Sequence, residues 1–282
     1  MHTIKNIVIA GADDKTIALD IFYKDGPPKP TVIYAHGFNG FKDWGAFDLI
    51  AAQFAEVGAC FVKFNFSHNG TTPQSPEDFV DVEAFGNNNY TRELYDLQCV
   101  INWVTDANNP HSAAIDQTTI YLIGHSRGGG IVLLKGAEEG RIRAIATWAS
   151  VSQCKTPWGD WPEDRIQKWK ESGVEYYNNN RTKQQMPLYY QLYRDFQANR
   201  ERLDILKAIE QLSIPVLVCH GTQDEAVPVA NAQLLHGAAN RSELFLVDSD
   251  HVFGRKHPWT AENLPEAMQA VVSKTIQFFF TP

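Results

Sequence analysis

The sequence predicts an α/β architecture: a mostly parallel sheet flanked by helices, with an inserted cap. Three observations carry this. Short apolar runs at 31–35, 60–66, 118–123, 142–148 and 215–221 read as strands buried on both faces, the habit of parallel sheets. Runs with apolar residues at helical spacing separate most of them, and such alternation specifies a sheet covered on both sides. Past Ser150 the alternation stops, and the stretch from Trp148 to Tyr193 holds nine of the chain's seventeen Trp and Tyr residues. The core domain is therefore assigned to 1–151 and 213–282. Residues 152–212 are the cap, placed over the carboxyl ends of the strands, where ligands of such sheets sit.

Residues 6–10 and 16–23 flank the turn-rich Gly11-Ala12-Asp13-Asp14 and read as an edge hairpin. Gly26-Pro27-Pro28-Lys29-Pro30 breaks regular structure before the strand at 31–35, which runs into His36-Gly37-Phe38. Asp43 is placed as the N-cap of a helix with Phe47, Ile50, Ala51 and Phe54 on one face, stopped by Gly58. The strand at 60–66 leads into a polar loop at 67–89. A helix at 91–106 aligns Leu94, Leu97, Ile101 and Val104. The strand at 118–123 and a helix ending near Gly140 enclose Gly124-His125-Ser126-Arg127-Gly128. In the cap, 174–189 reads as a hairpin around Asn178-Asn179-Asn180, and 188–209 reads as helical. A strand at 215–221, a helix at 229–237, a strand at 243–247 and a helix at 264–279 complete the chain.

At 282 residues the chain can bury a large core. Its 44% apolar and 21% charged residues are those of an ordered globular protein. A formal charge of −8 argues against nucleic acid, which needs concentrated Lys and Arg. No apolar run approaches a membrane span. The amino terminus offers only four consecutive apolar residues, Ile7 to Ala10, too few for a secretory core. Cys60, Cys99, Cys154 and Cys219 show no C-x-x-C spacing, so neither a zinc site nor a redox motif is indicated and a cytoplasmic setting is expected.

Gly-x-Ser-x-Gly between a strand and a helix is the nucleophile elbow, in which glycines permit a sharp turn that exposes the serine. The pentapeptide alone is weak evidence; its context raises it. A serine hydroxyl needs a base, and the base needs a carboxylate to hold its tautomer. Both follow in order, each after a strand: Asp224 in His220-Gly221-Thr222-Gln223-Asp224, and His251 in Asp248-Ser249-Asp250-His251. The expected catalytic set is Ser126, Asp224 and His251. His257 competes with His251, which is preferred because it lies four residues beyond its strand. Asp248 and Asp250 compete with Asp224 but adjoin His251 too closely in sequence. The oxyanion donors are expected to be the backbone amides of Phe38 and Arg127. His36, His125 and His220 are read as structural.

The elbow, His36-Gly37-Phe38 and Asp224-x-x-Val227-Pro228 together resemble the α/β-hydrolase superfamily. Within it, the chain is similar to the cinnamoyl and feruloyl esterases and the dienelactone-hydrolase-like serine esterases. The resemblance covers 1–150 and 213–282. It implies hydrolysis of a small-molecule ester through an acyl-serine intermediate, with no metal or organic cofactor, and a cap that shapes the acyl pocket. A small, aromatic or medium acyl group is expected, with two or three cap aromatics facing it and the others packing the cap itself. Two other readings are weighed: a peptidase similar to the prolyl oligopeptidase group, and a non-catalytic binding protein on a hydrolase scaffold. A metal hydrolase built on His251 and His257 is weaker, because their spacing fits no common ligand pair. Nothing in the sequence assigns an oligomeric state.

Overall fold

The computed structural model describes residues 1–281. Among the described residues, ten strands and nine α-helices follow in the order β1 (His2–Ala10), β2 (Thr16–Tyr23), β3 (Lys29–Ala35), α1 (Phe47–Glu56), β4 (Cys60–Asn65), α2 (Val82–Asn87), α3 (Tyr90–Thr105), β5 (Ile115–His125), α4 (Arg127–Glu138) and β6 (Ile142–Trp148). Then come α5 (Glu163–Ser172), β7 (Val174–Asn178), β8 (Gln185–Tyr189), α6 (Gln191–Ala198), α7 (Ile205–Gln211), β9 (Val216–Gly221), α8 (Ala230–Ala238), β10 (Ser242–Val247) and α9 (Glu266–Phe280).

Eight strands form one sheet in the order β1-β2-β4-β3-β5-β6-β9-β10. Only the β1–β2 and β2–β4 pairs are antiparallel; the other five are parallel. Side chains alternate across the sheet, as the pleat requires. On β3, Ile33 and Ala35 join the apolar layer shared with α3 and α4, whereas Val32 and Tyr34 join the layer shared with α1 and α9. This is an α/β-hydrolase fold with an inserted cap.

Four local expectations change. Asp43 does not cap α1: the helix starts at Phe47 after Ala46, whose side chain makes no cap bond. Asp43 instead accepts from the ammonium groups of Lys42 and Lys63, both fully buried, and Asp20 and Asp48 complete the cluster. A buried cation must be paired, and that requirement outweighs a surface cap. The loop at 67–89 contains α2, too short to show periodicity, begun by the Asp81 side chain accepting from the Ala84 amide at 2.9 Å. The helical run at 188–209 is two helices, because Asp204 starts a new one by accepting from the Lys207 amide at 3.1 Å. The break at 26–30 is shorter than expected, since β3 already begins at Lys29.

The segment between β6 and β9 carries the paired strands β7 and β8 as well as three helices. Helix α5 went unread because its face is mostly polar. It is nevertheless well specified, with Glu163 and Asp164 in its first turn and Gly173 closing it at φ 75°. Among the described residues, no helix is long and apolar enough to cross a membrane.

Candidate active site

The parallel register carries β5 one residue past its neighbour's end and straight into the turn at Ser126. Ser126 stands at φ 56°, ψ −122°, a conformation that costs a non-glycine residue about 1–3 kcal/mol and persists only where the surroundings impose it. They do so through three backbone bonds. The Ser126 amide donates to Trp148 O at 2.9 Å, and its carbonyl accepts from Gly129 at 3.0 Å and from Val151 at 3.3 Å. Gly128 is required by close approach: a Cβ there would lie 2.4 Å from the carbonyl oxygens of Ala35 and His36. Helix α4 starts at Arg127, so the amides at the positive end of its dipole lie next to the serine.

Asp224 and His251, 27 residues apart on the loops after β9 and β10, are brought together: His251 Nδ1 lies 2.7 Å from Asp224 Oδ2. The carboxylate is held on every side. Its Oδ1 accepts from the amides of Ala226 (2.9 Å) and Val227 (2.8 Å), and Oδ2 also lies 3.2 Å from His220 Nε2. Burial works to raise the Asp224 pKa, but the bonds from His220, His251 and Val227 prevail and hold it well below the usual carboxylate range. His251 is fixed from behind as well. The ring of His125 lies 4.8 Å from the His251 ring, and its Nε2 bonds the His251 carbonyl oxygen at 2.9 Å. Burial lowers the His125 pKa well below its ordinary value, so the ring is neutral and donates.

The rival residues lie elsewhere. His257 Nδ1 accepts from the Gly45 amide at 3.0 Å. Asp248 bonds Thr222 and Gln223, and Asp250 bonds the amides of Val252 and Gly254.

The loop after β3 passes so near the elbow that a Cβ on Gly37 would sit 2.9 Å from Ser126 Cβ. Phe38 follows it, its ring packed by Phe85 (5.6 Å) and by Tyr177 of β7 (5.4 Å). His36 braces this loop: Nε2 accepts from Phe66 N at 3.3 Å, leaving Nδ1 to donate to Gly37 O at 2.9 Å. Burial lowers its pKa to about 4, so it stays neutral. The Arg127 side chain points away from the serine. It is 2% exposed, pairs with Glu93 at 2.9 Å and stacks 3.9 Å from the Tyr90 ring.

Ser126, His251 and Phe38 line one cavity of about 170 Å³, together with Phe41, Trp44 and Phe47. No residue of 152–212 lines it, which corrects the expectation that cap aromatics face the acyl group. The cap touches its wall from outside, through Tyr177 on Phe38 and through Asn179 Nδ2 donating to Asn39 Oδ1 at 3.0 Å. A larger cavity of about 540 Å³ lies within the cap, against Trp158, Trp161, Tyr193 and Phe196, and none of Ser126, Asp224 and His251 reaches it. Two polar residues of the smaller cavity, Tyr34 and Arg255, had no sequence signal. Tyr34 reads as an ordinary strand residue and Arg255 as part of a basic loop.

Comparison with known proteins places the chain in a family. The BD-FAE family profile matches residues 79–238, more than half the chain, including the elbow and the whole cap. The chain belongs to the BD-FAE family. No curated protein matches it in sequence. Solved structures share its fold across nearly the whole length. A protein of Agrobacterium vitis S4 superposes with a TM-score of 0.72 at 19% identity, covering 99% of this chain and 98% of the other. Est1E from Butyrivibrio proteoclasticus, solved with ferulic acid bound, gives 0.69 at 17% identity over 99% and 100%. The α/β-hydrolase GrgF from Penicillium sp. sh18 gives 0.69 at 17% over 99% and 98%. This BD-FAE family member is accordingly an α/β-hydrolase of the serine-hydrolase type.

Proposed function

We propose that the chain is a serine carboxylic ester hydrolase that cleaves esters of small acyl groups through an acyl-serine intermediate. The observation that carries this reading is the 2.7 Å contact of Asp224 with His251, which lines the same small cavity as a serine held in a strained turn. In this mechanism the Ser126 hydroxyl attacks the ester carbon while His251, through the ring nitrogen opposite Asp224, takes its proton. Asp224, ionised and multiply bonded, holds the other nitrogen protonated and stabilises the imidazolium. The amides of Phe38 and Arg127 receive the developing oxyanion. His251 returns the proton to the leaving alcohol. Water then repeats the sequence on the acyl-serine, releasing the acid and regenerating Ser126.

The cavity supports a small acyl group, since a volume of about 170 Å³ is below that of a typical drug-sized pocket. Its aromatic wall of Phe38, Phe41 and Trp44 suits an apolar or flat acyl body, and the ferulic acid in Est1E shows an aromatic acid in a related fold. The deciding experiment is hydrolysis of short p-nitrophenyl esters by the native protein and by Ser126→Ala, alongside labelling with a fluorophosphonate. Turnover and labelling that both vanish in the variant support the reading; turnover that persists in it ends the reading.

A further inference from the structure

The cavity that holds Ser126 and His251 is also lined by two polar side chains that the ester-hydrolysis steps leave unused. Tyr34, on β3, is 1% exposed, and Arg255, in the loop beyond His251, is 4% exposed. Arg255 Nε donates to Val252 O at 2.8 Å. Among the described residues, its Nη1 and Nη2 are buried without a hydrogen-bond partner. The guanidinium lies 4.6 Å from the Phe47 ring centre and 5.5 Å from that of Trp44, and both rings line the same cavity. Asp250 is close enough to influence it, but its carboxylate is bonded to the Val252 and Gly254 amides. Burial lowers the Arg255 pKa to about 10, so the group remains a cation at neutral pH.

A buried guanidinium with both terminal nitrogens unpaired is among the most costly arrangements a core can hold. It invites a partner that brings two oxygens and a negative charge, and a carboxylate meets the two parallel N–H groups of the fork in one plane. The Tyr34 hydroxyl, which feels the same cationic charge, is a neutral donor in this burial and stands ready for an anionic oxygen. Size restricts the remainder of the ligand. At about 30 Å³ per water-sized group, the cavity takes on the order of five or six such groups. That accommodates an ester carbonyl, two or three methylenes and a terminal carboxylate.

We propose that Tyr34 and Arg255 form an anion anchor in the acyl cavity, and that the preferred substrates are monoesters of short dicarboxylic acids, of succinyl or glutaryl size. This rests on the reading of Ser126 as the nucleophile. The anchor holds the distal carboxylate while Ser126 attacks the ester carbonyl. Hydrolysis consumes one water and gives the alcohol and the free dicarboxylic acid, the distal carboxylate being unchanged throughout.

The test compares monomethyl succinate with methyl butyrate, a neutral ester of the same chain length, and measures succinate binding by calorimetry. In the native protein kcat/KM should favour the hemisuccinate by on the order of tenfold to a hundredfold, the size of a charge-assisted pair. The preference should fall to near unity in Arg255→Met and by several-fold in Tyr34→Phe, with succinate affinity falling in parallel. Arg255→Lys keeps the charge but loses the fork and should be intermediate; it and Tyr34→Phe serve if the methionine variant does not fold. Hydrolysis of methyl butyrate without preference for the hemisuccinate overturns the anchor and leaves the esterase reading intact. Succinate binding that depends on Arg255, with neither ester turned over, upholds the anchor and removes the esterase reading. Absence of both overturns both.

Discussion

The two cavities of this molecule differ in kind. The one beside Ser126 is small, about 170 Å³, and is built from the ends of core strands and the loops that leave them. The one in the cap is about 540 Å³ and is bounded by Trp158, Trp161, Tyr193 and Phe196. Those rings meet one another and Trp169 at centroid distances of 5.3–6.2 Å. The cap's aromatic richness is thus used to consolidate a small subdomain, which needs large side chains to bury enough area. The cavity at the serine is lined instead by Phe38, Phe41, Trp44, Tyr34 and Arg255, and aromatic content alone is a poor guide to where a cavity at the serine forms.

That contrast can be broken or sharpened by substitution. The largest effect should come from Asp224→Asn, which allows the wrong His251 tautomer and should lower kcat by about 10⁴-fold with little change in KM, measured by steady-state ester kinetics. Trp169→Ala empties the centre of the cap aromatics, where the ring is fully buried and Nε1 donates to Leu188 O at 2.6 Å. It should cost about 3–5 kcal/mol by urea denaturation while changing kcat/KM for a short ester only a few-fold in the folded fraction. A hundredfold loss of activity would show that the cap governs the serine site after all. Glu93→Gln leaves the Arg127 guanidinium buried without its counter-ion and should destabilise by about 3 kcal/mol, again read by denaturation.

Acidification gives a smaller effect of definite sign. His36 and His68 are neutral because burial lowers their pKa to about 4, and burial lowers His125 well below its ordinary value too. The unfolded chain takes up protons at these positions near pH 6.5 while the folded chain does not. Their contribution is therefore complete above pH 6.5 and lost as pH falls towards 4, about 2 kcal/mol from His36 alone by pH 5. Asp96 acts in the opposite sense: burial raises its pKa to about 6, so the folded chain takes up a proton there first and gains stability over part of the same range. His111 and His257 are lowered by burial too, and buried Glu93 is raised like Asp96; five histidines against two carboxyls give a net loss, visible as a lower urea midpoint at pH 5 than at pH 7. The smallest expected effect is that of Tyr177→Ala, which removes the cap's contact with Phe38. It should lower kcat several-fold with stability nearly unchanged.

Much of the fold was legible because parallel strands leave long apolar runs and the elbow has a fixed local form. The hairpin around 178–180, the strand at 142–148 and the ordered series Ser126, Asp224, His251 all follow from short-range patterns. What escaped depends on contacts distant in sequence. Asp43 has the look of a cap, but two buried lysines claim it. Helix α2 is a single capped turn and a half with no period to detect. The unpaired Arg255 gave no signal, because a basic residue between Gly254 and Lys256 reads as solvent-facing until Trp44 and Phe47 fold over it.

The cluster of Lys42, Lys63, Asp20 and Asp43 makes the amino-terminal hairpin more than an edge decoration. Asp20 lies on β2 and is fully buried against both ammonium groups, while Lys42 stands four residues beyond Phe38. A chain lacking its first two strands would retain every residue of the serine site, yet would leave Lys42 and Lys63 to share Asp43 and Asp48 alone behind the loop that carries Phe38. The earliest part of the polypeptide thereby acts as an electrostatic keystone, and a fragment beginning at β3 should be unable to close the site even though no atom of the missing segment lines it.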